Sequence, residues 1–319
     1  ITFVFADFAA ASNNKKFHIG VALLSAVLKQ HGFQTSLIHL FEDIGEAHFI
    51  QELHKHSPDV LAFSYNSNIF RPIKKYIQWA EVLKVQKIHG GLHPTIAPEE
   101  CMEFAPIQVI CRGEGEEALV EFCRAVQEKK DFRFIRNLWV KDQGKIIKNP
   151  IRPLIEDLDT LPFLDYEVFN YHELANYVDF KQLVFMASRG CPYQCTYCCN
   201  HSLKKLYPNQ EKYVRFKTPG RFIEEIKDGL KRYPNVESLR FFDDTLTLNK
   251  DFFIPFANLY KKEVGRPYSC NDRANQITRE IAEKFKESGC ASIDIGIESG
   301  NEKIRNVVMK RHMKTEQII

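Results

Sequence analysis

The sequence predicts an α/β protein in which a doubly wound parallel sheet is followed by a part-barrel of strand and helix units. Short apolar runs alternate with amphipathic stretches over residues 1 to 130. Strand-like runs alternate with helical patterns again from 181 to 319. A hairpin signal and a proline-bearing linker at 131 to 180 separate the two parts. The length of 319 residues agrees with two domains at these boundaries.

The first part alternates five predicted strands with helices. The strands are 1–6, 33–38, 59–64, 85–89 and 107–111, and the clearest helices are 19–31, 69–83 and 116–128. This alternation places helices on both faces of a parallel sheet, in a flavodoxin-like layout. Ligands of such sheets lie beyond the carboxyl ends of the strands. The strand ends are therefore the predicted site of the first domain.

Three of these strand ends carry small or glycine-rich sequences. Ser64 ends one strand, Gly90-Gly91-Leu92-His93-Pro94-Thr95 ends the next, and Arg112-Gly113-Glu114-Gly115-Glu116 ends the last. Glycines let a bulky ligand approach the backbone, and free amides can bind phosphate. Glycines that only cap strands and start turns are the alternative.

The second part has predicted strands at 183–186, 238–245, 268–271 and 292–300 and helices at 219–233, 252–262 and 278–288. Four such units in succession predict a parallel barrel or part-barrel, whose chemistry lies at the carboxyl ends of the strands. Polar residues follow each strand there: a cysteine loop, Asp243-Asp244, Asn271-Asp272-Arg273 and Glu298-Ser299. The alternative for the aspartate pair is a helix cap or a solvated turn.

The cysteine loop holds three thiols in the spacing Cys191-x3-Cys195-x2-Cys198. Thiolates this close on a loop can each bind one iron of a cubane cluster, which leaves the fourth iron open. A zinc site would usually add a separated Cys or His pair, and a disulfide cluster needs an oxidising compartment. The spacing therefore favours an iron–sulfur cluster. Cys199 is extra to the pattern and is interpreted as a buried packing residue.

Composition excludes other classes of protein. Apolar residues make up 44% and charged residues 27%, and the net charge of +3 indicates no nucleic-acid partner. No apolar run reaches the length of a membrane span, and no signal peptide begins the chain, so we expect a cytoplasmic protein. Nine cysteines, four of them at 191–199, suit a reducing compartment. Both ends fall inside strand-like or helical patterns, and we expect a fragment of a longer protein.

The cysteine spacing, with Tyr197 before its last member, resembles the signature of the radical S-adenosylmethionine (radical SAM) superfamily. The glycine-rich strand ends resemble the cobalamin-binding domain found ahead of many radical SAM modules. Together the motifs resemble cobalamin-dependent radical SAM enzymes over essentially the whole chain. The resemblance implies a six-unit part-barrel, so that the last two units would lie beyond Ile319. It also implies a 4Fe-4S cluster, S-adenosylmethionine and cobalamin as cofactors.

The resemblance also implies roles for individual residues. Cobalamin would dock at the first set of strand ends, and S-adenosylmethionine would bind beside the cysteine loop. Asp244 or Asp243 would hold the methionine ammonium, Glu298 the ribose or methionine group, and Arg311 the methionine carboxylate. Tyr197 would pack near the adenine, unless it is a core residue. The cobalamin contacts implied are Ser64, Gly90, Gly91, His93, Gly113 and Glu114, and Ser299 joins Glu298.

One departure from the family concerns cobalt. The Asp-x-His-x-x-Gly loop that supplies a histidine to cobalt in methionine-synthase-like domains is missing. His18, before Gly20, has the wrong spacing. A histidine-ligated cobalt is therefore not expected.

The function implied is methylation of an unactivated carbon of a small molecule or natural product. A reductant such as flavodoxin or ferredoxin would serve it. A ring-forming or rearranging enzyme with the same cofactors is a second hypothesis, and a cobalamin or iron–sulfur sensor is a third. No residue is assigned a catalytic role from the sequence.

Overall fold

A computed structural model describes residues 1–8, 17–174 and 182–318. The chain divides into two compact units. The first contains Ile1–Pro153 and Pro162–Tyr177, and the second contains Leu154–Leu161 and Val178–Ile319. Among the described residues, no helix combines the length and apolar character needed to cross a membrane.

The first unit is a seven-stranded sheet with helices on both faces. Its strands are β1 (Thr2–Ala6), β2 (Ser36–Leu40), β3 (Val60–Ser64), β4 (Gln86–Gly90), β5 (Val109–Cys111), β6 (Leu138–Asp142) and β7 (Lys145–Lys148). Its helices are α1 (Ile19–Gln30), α2 (Gly45–His56), α3 (Ser67–Trp79), α4 (Leu92–Ile96), α5 (Pro98–Glu103), α6 (Glu116–Gln127) and α7 (Tyr171–Leu174).

The strand order confirms the predicted doubly wound layout. The sheet runs β2-β1-β3-β4-β5-β6-β7, and its first five strands are parallel, as in flavodoxin-like folds. The predicted hairpin is present as β6 and β7, which continue the sheet in antiparallel fashion beyond β5. The segment 131–180 is thus divided between the two units, since 154–161 lies in the second and 162–174 in the first.

The core of the first unit lies where side chains of the sheet meet α2 and α3. Val4, Phe63 and Ile110 pack there against Phe49 and Tyr76, all of them at most 2% exposed. Helix α3 begins where the Asn66 side chain accepts a hydrogen bond from the Ile69 amide at 3.2 Å, a normal N-cap. The apolar residues of these strands are buried, as expected for a sheet that is covered by helices on both faces.

The chain after the hairpin returns to the first unit at Pro162. The Asp165 carboxylate accepts a hydrogen bond from the Ser25 hydroxyl at 2.5 Å and pairs with the Lys29 ammonium at 2.7 Å, both on α1. The Tyr166 ring stacks on Phe17 with centroids 5.0 Å apart. Polar and aromatic contacts therefore attach 162–174 to α1.

The second unit is a four-stranded parallel sheet with helices on one face. Its strands are β8 (Gln182–Phe185), β11 (Ser238–Phe241), β12 (Tyr268–Asp272) and β13 (Cys290–Ile295), in the order β13-β12-β11-β8. A separate antiparallel pair joins β9 (Ser188–Arg189) to β10 (Arg215–Phe216). The helices are α8 (Asn200–Lys204), α9 (Pro219–Arg232), α10 (Lys250–Glu263) and α11 (Arg279–Ser288).

This arrangement confirms the predicted succession of strand and helix units. Phe185 and Phe241 from the sheet meet Phe222 of α9 and Phe256 of α10 in one aromatic core. Gly229 lets α9 approach β8, because a Cβ there would lie 2.8 Å from a methyl of Leu183. Because the four strands are parallel, the polar residues at their carboxyl ends gather at one edge.

Candidate functional site

The first candidate site is the carboxyl edge of the first sheet, where Ser64 and Gly90 are register partners. Gly91 has a φ of 97°, and a Cβ there would lie 2.7 Å from the Tyr65 carbonyl oxygen. The chain itself therefore requires glycine at 91. A Cβ at Gly90 would meet only the Cys111 carbonyl, at 3.9 Å. A side chain at 90 would therefore cause no clash within the chain, so the absence of one is not required by the fold.

Thr95 joins the two glycine-rich strand ends. Its hydroxyl donates to the Gly91 carbonyl at 2.8 Å and accepts a hydrogen bond from the Gly113 amide at 3.1 Å. The Asn137 side chain also donates to the Glu114 carbonyl, at 3.0 Å. The structure thus brings together the strand-end motifs that the sequence predicted to share one edge.

His93 lies inside the first unit. Its ring is 4% exposed, contacts the Phe70 ring at 4.1 Å and places Nδ1 3.1 Å from the Ser67 hydroxyl. These contacts anchor the short helix α4. The predicted contact between His93 and a cofactor stays a prediction.

His18 acts as a helix cap in the structure. Its Nδ1 accepts a hydrogen bond from the Val21 amide at 3.1 Å, and its ring packs on Phe5 with centroids 4.6 Å apart. Burial lowers the pKa of His18 to about 4, which keeps Nδ1 an acceptor at neutral pH. One ring nitrogen is therefore committed to α1.

His89 of β4 is a buried histidine whose protonation would destabilise the folded state. It is 0% exposed, stacks on Phe63 with centroids 4.8 Å apart, and neither ring nitrogen has a hydrogen-bond partner. Burial lowers its pKa to about 3. The folded state therefore resists a proton that the unfolded chain accepts below the usual pKa of about 6.5.

We expect the free energy of unfolding of the first unit to fall as the pH drops below about 6.5, because of His89. A depressed histidine pKa means that the unfolded state binds more protons, which removes up to about 2 kcal/mol between pH 7 and pH 5. His89→Leu should flatten this dependence, measured by urea unfolding at both pH values. Both tryptophans, Trp79 and Trp139, lie in the first unit, so their fluorescence reports on it alone.

The matched control is His54→Gln, which changes an exposed histidine on α2. It should leave the pH dependence as in the wild type. An unchanged slope in His89→Leu would show that His89 is not the group responsible.

The second candidate site begins at Gly190, where the cysteine loop leaves β9. Gly190 has a φ of 85°, and a Cβ would lie 2.3 Å from the Tyr213 carbonyl oxygen. Only glycine allows β9 and the segment before β10 to approach this closely. The start of the cysteine loop is therefore fixed by packing against Tyr213.

The Cys198 thiol is surrounded by hydrogen-bond donors. Both amides of Asn200 donate to it, the backbone N–H at 3.5 Å and the side-chain amide at 3.6 Å. The neighbouring Cys199 thiol and these amides lower the pKa of Cys198 to about 6, whereas burial raises the pKa of Cys191 to about 11. Cys199 is partly exposed, so the expectation of a buried packing residue was wrong.

Asn200 links the cysteine loop to Asp244. Its side-chain amide donates to the Asp244 carboxylate at 3.0 Å, and its oxygen accepts from the Tyr213 hydroxyl at 3.0 Å. Asp244 itself is exposed to solvent. A carboxylate held beside the cysteines and open to solvent can receive an ammonium group.

Asp243 has a different role, although it was the other candidate for the ammonium. It is 0% exposed, and its carboxylate accepts hydrogen bonds from the Ala187 amide at 3.1 Å and the Ser188 amide at 2.6 Å. The Ser188 hydroxyl donates as well. Burial raises its pKa to about 6. Asp243 thus fastens the end of β11 to the turn between β8 and β9.

Two guanidinium groups meet at Cys195. Nη1 of Arg273 lies 3.5 Å and Nη1 of Arg311 3.8 Å from its Sγ, and all three side chains are buried. Arg311 also donates to the Gly296 carbonyl, and its Nε has no hydrogen-bond partner. The structure therefore brings the predicted Arg311 to the cysteine loop, next to the thiol.

Tyr197 and Glu298 interact electrostatically, and burial is the main cause that raises the pKa of the Tyr197 hydroxyl. Tyr197 is 50% exposed, so the alternative of a core residue does not hold. Glu298 has a φ of 67°, a conformation rare for residues other than glycine. The Ser299 hydroxyl accepts from the Asn301 amide at 3.2 Å and so caps its own turn.

Family models match both units of the chain. Residues 186–319 match the radical SAM superfamily, and residues 8–123 match the B12 binding domain. The chain combines a B12-binding domain with a radical SAM domain.

Curated relatives align with most of this chain. An uncharacterized methyltransferase of Pyrococcus horikoshii is 29% identical over 297 residues, which cover 92% of this chain and 63% of the relative. The anaerobic magnesium-protoporphyrin IX monomethyl ester cyclase of Rubrivivax gelatinosus is 25% identical over 308 residues, covering 91% and 53%. The chain thus spans little more than half the length of these relatives.

Solved structures share the fold. The cobalamin-dependent S-adenosylmethionine radical enzyme OxsB, with aqua-cobalamin and S-adenosylmethionine bound, has a TM-score of 0.77 at 20% identity, covering 99% of this chain and 46% of that chain. The radical S-adenosylmethionine methyltransferase TsrM from Kitasatospora setae has a TM-score of 0.73 at 13% identity, covering 95% and 60%.

The residues of both domains fit the groups that the families imply. All nine cysteines of the chain are free. In the radical SAM domain, the lowered pKa of Cys198 favours its thiolate, and Cys195 lies beside two guanidinium groups. In the B12-binding domain, Gly90 leaves backbone accessible at the sheet edge. Within the described ranges, no group of three or more His, Cys, Asp or Glu is close enough to hold a single metal ion. The three cysteine ligands stay a prediction.

Gly190→Ala should disturb the cysteine loop of the radical SAM domain. A Cβ at 2.3 Å from a backbone oxygen, with a positive φ that costs about 1 kcal/mol by itself, cannot be accommodated without moving the loop. We expect a several-fold loss of iron bound per chain after anaerobic reconstitution.

The matched control is Gly220→Ala in the first turn of α9, where a Cβ meets nothing within 4 Å. It should bind as much iron per chain as the wild type, with iron measured colorimetrically in both variants after anaerobic reconstitution. Equal iron in both variants would contradict the role of Gly190.

Three residues of the radical SAM domain were not assigned from the sequence: Asn200, Arg273 and Tyr193, whose ring packs against the Arg273 guanidinium. Asn200 lies two positions after the last cysteine of the motif, so its proximity to Cys198 could have been inferred from the sequence. Arg273 was noted only as part of a strand end. Its contact with Cys195 joins residues 78 positions apart and has no local signature.

Proposed function

We propose that the protein is a cobalamin-dependent radical SAM enzyme that methylates an unactivated carbon of a small molecule. The observation that carries this proposal is the presence of a B12-binding domain and a radical SAM domain on one chain, with a three-cysteine loop at the carboxyl end of β8. When bound, the cluster with S-adenosylmethionine supplies a 5'-deoxyadenosyl radical and methylcobalamin supplies the methyl group.

The residues would divide the binding work. Cys191, Cys195 and Cys198 would hold the cluster, and Asp244, oriented by Asn200, would bind the ammonium of S-adenosylmethionine. Glu298 with Tyr197 would meet its nucleoside part, and Arg311 its carboxylate. Asp243 is excluded from ligand binding by its own buried hydrogen bonds.

The first domain would hold cobalamin at its sheet edge. Ser64, Gly90, Gly91, His93, Gly113 and Glu114 surround this edge in the proposal. Gly90 would provide the approach, since nothing closer than 3.9 Å meets a Cβ there. The backbone at Gly91 and Gly113 is held by Thr95, which preorganises the edge before a ligand binds.

A second candidate function is ring formation by the same cofactors. Its support is that three relatives are named as anaerobic magnesium-protoporphyrin IX monomethyl ester cyclases, at 25%, 26% and 25% identity. We place it second because a curated relative at 29% identity, above the 25% and 26% of these cyclases, is named a methyltransferase.

The deciding experiment measures the fate of S-adenosylmethionine. The protein is purified anaerobically with hydroxocobalamin, reconstituted with iron and sulfide, and incubated with S-adenosylmethionine and dithionite. S-adenosylhomocysteine together with 5'-deoxyadenosine supports methyl transfer. 5'-Deoxyadenosine alone supports the cyclase alternative. The absence of both products would favour a cofactor-binding sensor. Asp244→Asn serves as the variant with impaired binding of S-adenosylmethionine.

The surroundings of the reaction belong to the same proposal. A low-potential protein such as flavodoxin or ferredoxin would deliver the electron, and a cytoplasmic location would keep the nine free thiols reduced. The substrate would be a small molecule or natural product.

A further inference from the structure

Arg273 is the residue of the radical SAM domain whose contacts are left unexplained by the proposed ligands. It follows β12 and is only 3% exposed. Its guanidinium lies 3.6 Å from the centroid of the Tyr193 ring, on the cysteine loop. A guanidinium this close to an aromatic face is held by stacking and by a cation–π attraction. Tyr193 is thus a platform that fixes the plane of the guanidinium.

Each of the three guanidinium nitrogens of Arg273 has a hydrogen-bond partner. Nη1 points to Sγ of Cys195 at 3.5 Å, Nη2 donates to the Arg311 carbonyl, and Nε donates to Asn275 Oδ1 at 3.2 Å. Three donors in three directions leave the group one orientation. The N–H that faces Cys195 is therefore fixed before any ligand arrives.

Two cations share the surroundings of Cys195. Arg273 and Arg311 both place a guanidinium nitrogen within 3.8 Å of its sulfur. The Asp272 carboxylate next to Arg273 interacts with it electrostatically, and among residues 1–8, 17–174 and 182–318 neither guanidinium forms an ion pair with a carboxylate. The N–H groups of both cations therefore converge on the Cys195 sulfur, where an iron–sulfur group would bind.

We propose that Arg273 is a positioning residue for the Cys195 thiolate, and that its charge and N–H donor raise the reduction potential of the iron–sulfur cluster bound there. The inference rests on the proposed function, because it needs a cluster at these cysteines. Reduction adds a negative charge, so a nearby cation stabilises the reduced form more than the oxidised form. Hydrogen bonds to the ligand sulfur act in the same direction.

The test compares four variants of the intact protein with the wild type. Arg273→Gln removes the charge, Arg273→Lys keeps the charge but loses the fork, and Tyr193→Leu removes the platform while leaving Arg273 in place. Arg279→Gln is the matched control: it removes a charge six positions away, where the side chain is 94% exposed and pairs with Glu283. Iron and sulfide per chain, far-UV circular dichroism and a redox titration followed by electron paramagnetic resonance are measured for each.

We expect Arg273→Gln to lower the ratio of reduced to oxidised cluster about tenfold at a fixed solution potential, which is about 59 mV for one electron. Arg273→Lys and Tyr193→Leu should fall between this variant and the wild type. Arg279→Gln should match the wild type. Loss of the cluster from Arg273→Gln with an unchanged circular dichroism spectrum would also support the positioning role.

A wild-type potential in both Arg273→Gln and Arg273→Lys, with full iron content, would overturn the inference. If Arg273→Gln does not fold, the potentials of Arg273→Lys and Tyr193→Leu decide in the same way. A wild-type protein that takes up no cluster would be a separate failure, that of the proposed function itself.

Discussion

Cys195→Ser is expected to abolish cluster binding and to reduce cleavage of S-adenosylmethionine by more than the roughly 100-fold typical of losing an outer-shell partner. Cys195 is 5% exposed and lies against the guanidinium groups of Arg273 and Arg311. A serine hydroxyl is a hard oxygen donor and does not replace the soft thiolate ligand that iron–sulfur clusters use. Iron per chain, the visible absorption band and 5'-deoxyadenosine formation measure the effect.

Two cysteines serve as controls for this substitution. Cys123→Ser alters a buried thiol of α6 in the first unit, and Cys199→Ser alters the thiol beside Cys198. Cys123→Ser should retain full iron, and Cys199→Ser should retain most of it. Iron at the wild-type level in Cys195→Ser would remove that residue from the ligand set.

Asp243→Asn is expected to lower the free energy of unfolding of the second unit by about 3 kcal/mol or more. The carboxylate of Asp243 accepts hydrogen bonds from two backbone amides and a hydroxyl in a site without solvent. An asparagine that keeps its oxygen at Oδ1 must place its amide nitrogen at Oδ2, where the Ala187 amide donates at 3.2 Å, so two buried N–H groups then face each other. Urea unfolding followed by circular dichroism at 222 nm measures the loss, because both tryptophans lie in the other unit.

Asp244→Asn is the partner experiment at the adjacent position. Asp244 is exposed and accepts one side-chain hydrogen bond, from Asn200. Its substitution should leave the urea midpoint unchanged and weaken binding of S-adenosylmethionine at least about tenfold, from the loss of a charge-assisted hydrogen bond. Equal destabilisation by the two substitutions would contradict the division of roles between these aspartates.

The sequence predicted the order of elements and the gathering of motifs for a physical reason. Parallel strands bring their carboxyl ends to one edge, so Ser64, Gly90 and Gly113 had to lie near each other once the strands were recognised. Likewise, the short spacing of Cys191, Cys195 and Cys198 is a local property. Local patterns of this kind do not depend on how distant segments pack.

The roles of Asp243 and Asp244 show where sequence interpretation stopped. Side chains alternate between the faces of a strand, and the apolar series Leu239 and Phe241 continues to Asp243. That alternation predicts that Asp243 faces the core. The family resemblance placed either acid near the ligand and did not use this alternation.

Contacts between distant segments could not be predicted. The position of Arg273 against Cys195 depends on the cysteine loop folding back over the end of β12, and on Tyr193 meeting the guanidinium there. Neither residue has a pattern in its neighbourhood that indicates the other. Only the tertiary structure connects them.

Arg305 is buried inside the segment that carries Arg311 and helps to hold its two ends together, alongside Glu302 and Asn306. It is 1% exposed and donates to the carbonyl oxygens of Ser299 and Met313, each at 2.9 Å, and to the Thr315 hydroxyl at 3.0 Å. One side chain therefore ties both ends of the segment 299–315 together. A substitution at Arg305, which is assigned to no ligand, would loosen the segment that places Arg311 beside Cys195. In an activity screen, the resulting loss would be mistaken for a defect of the cofactor site.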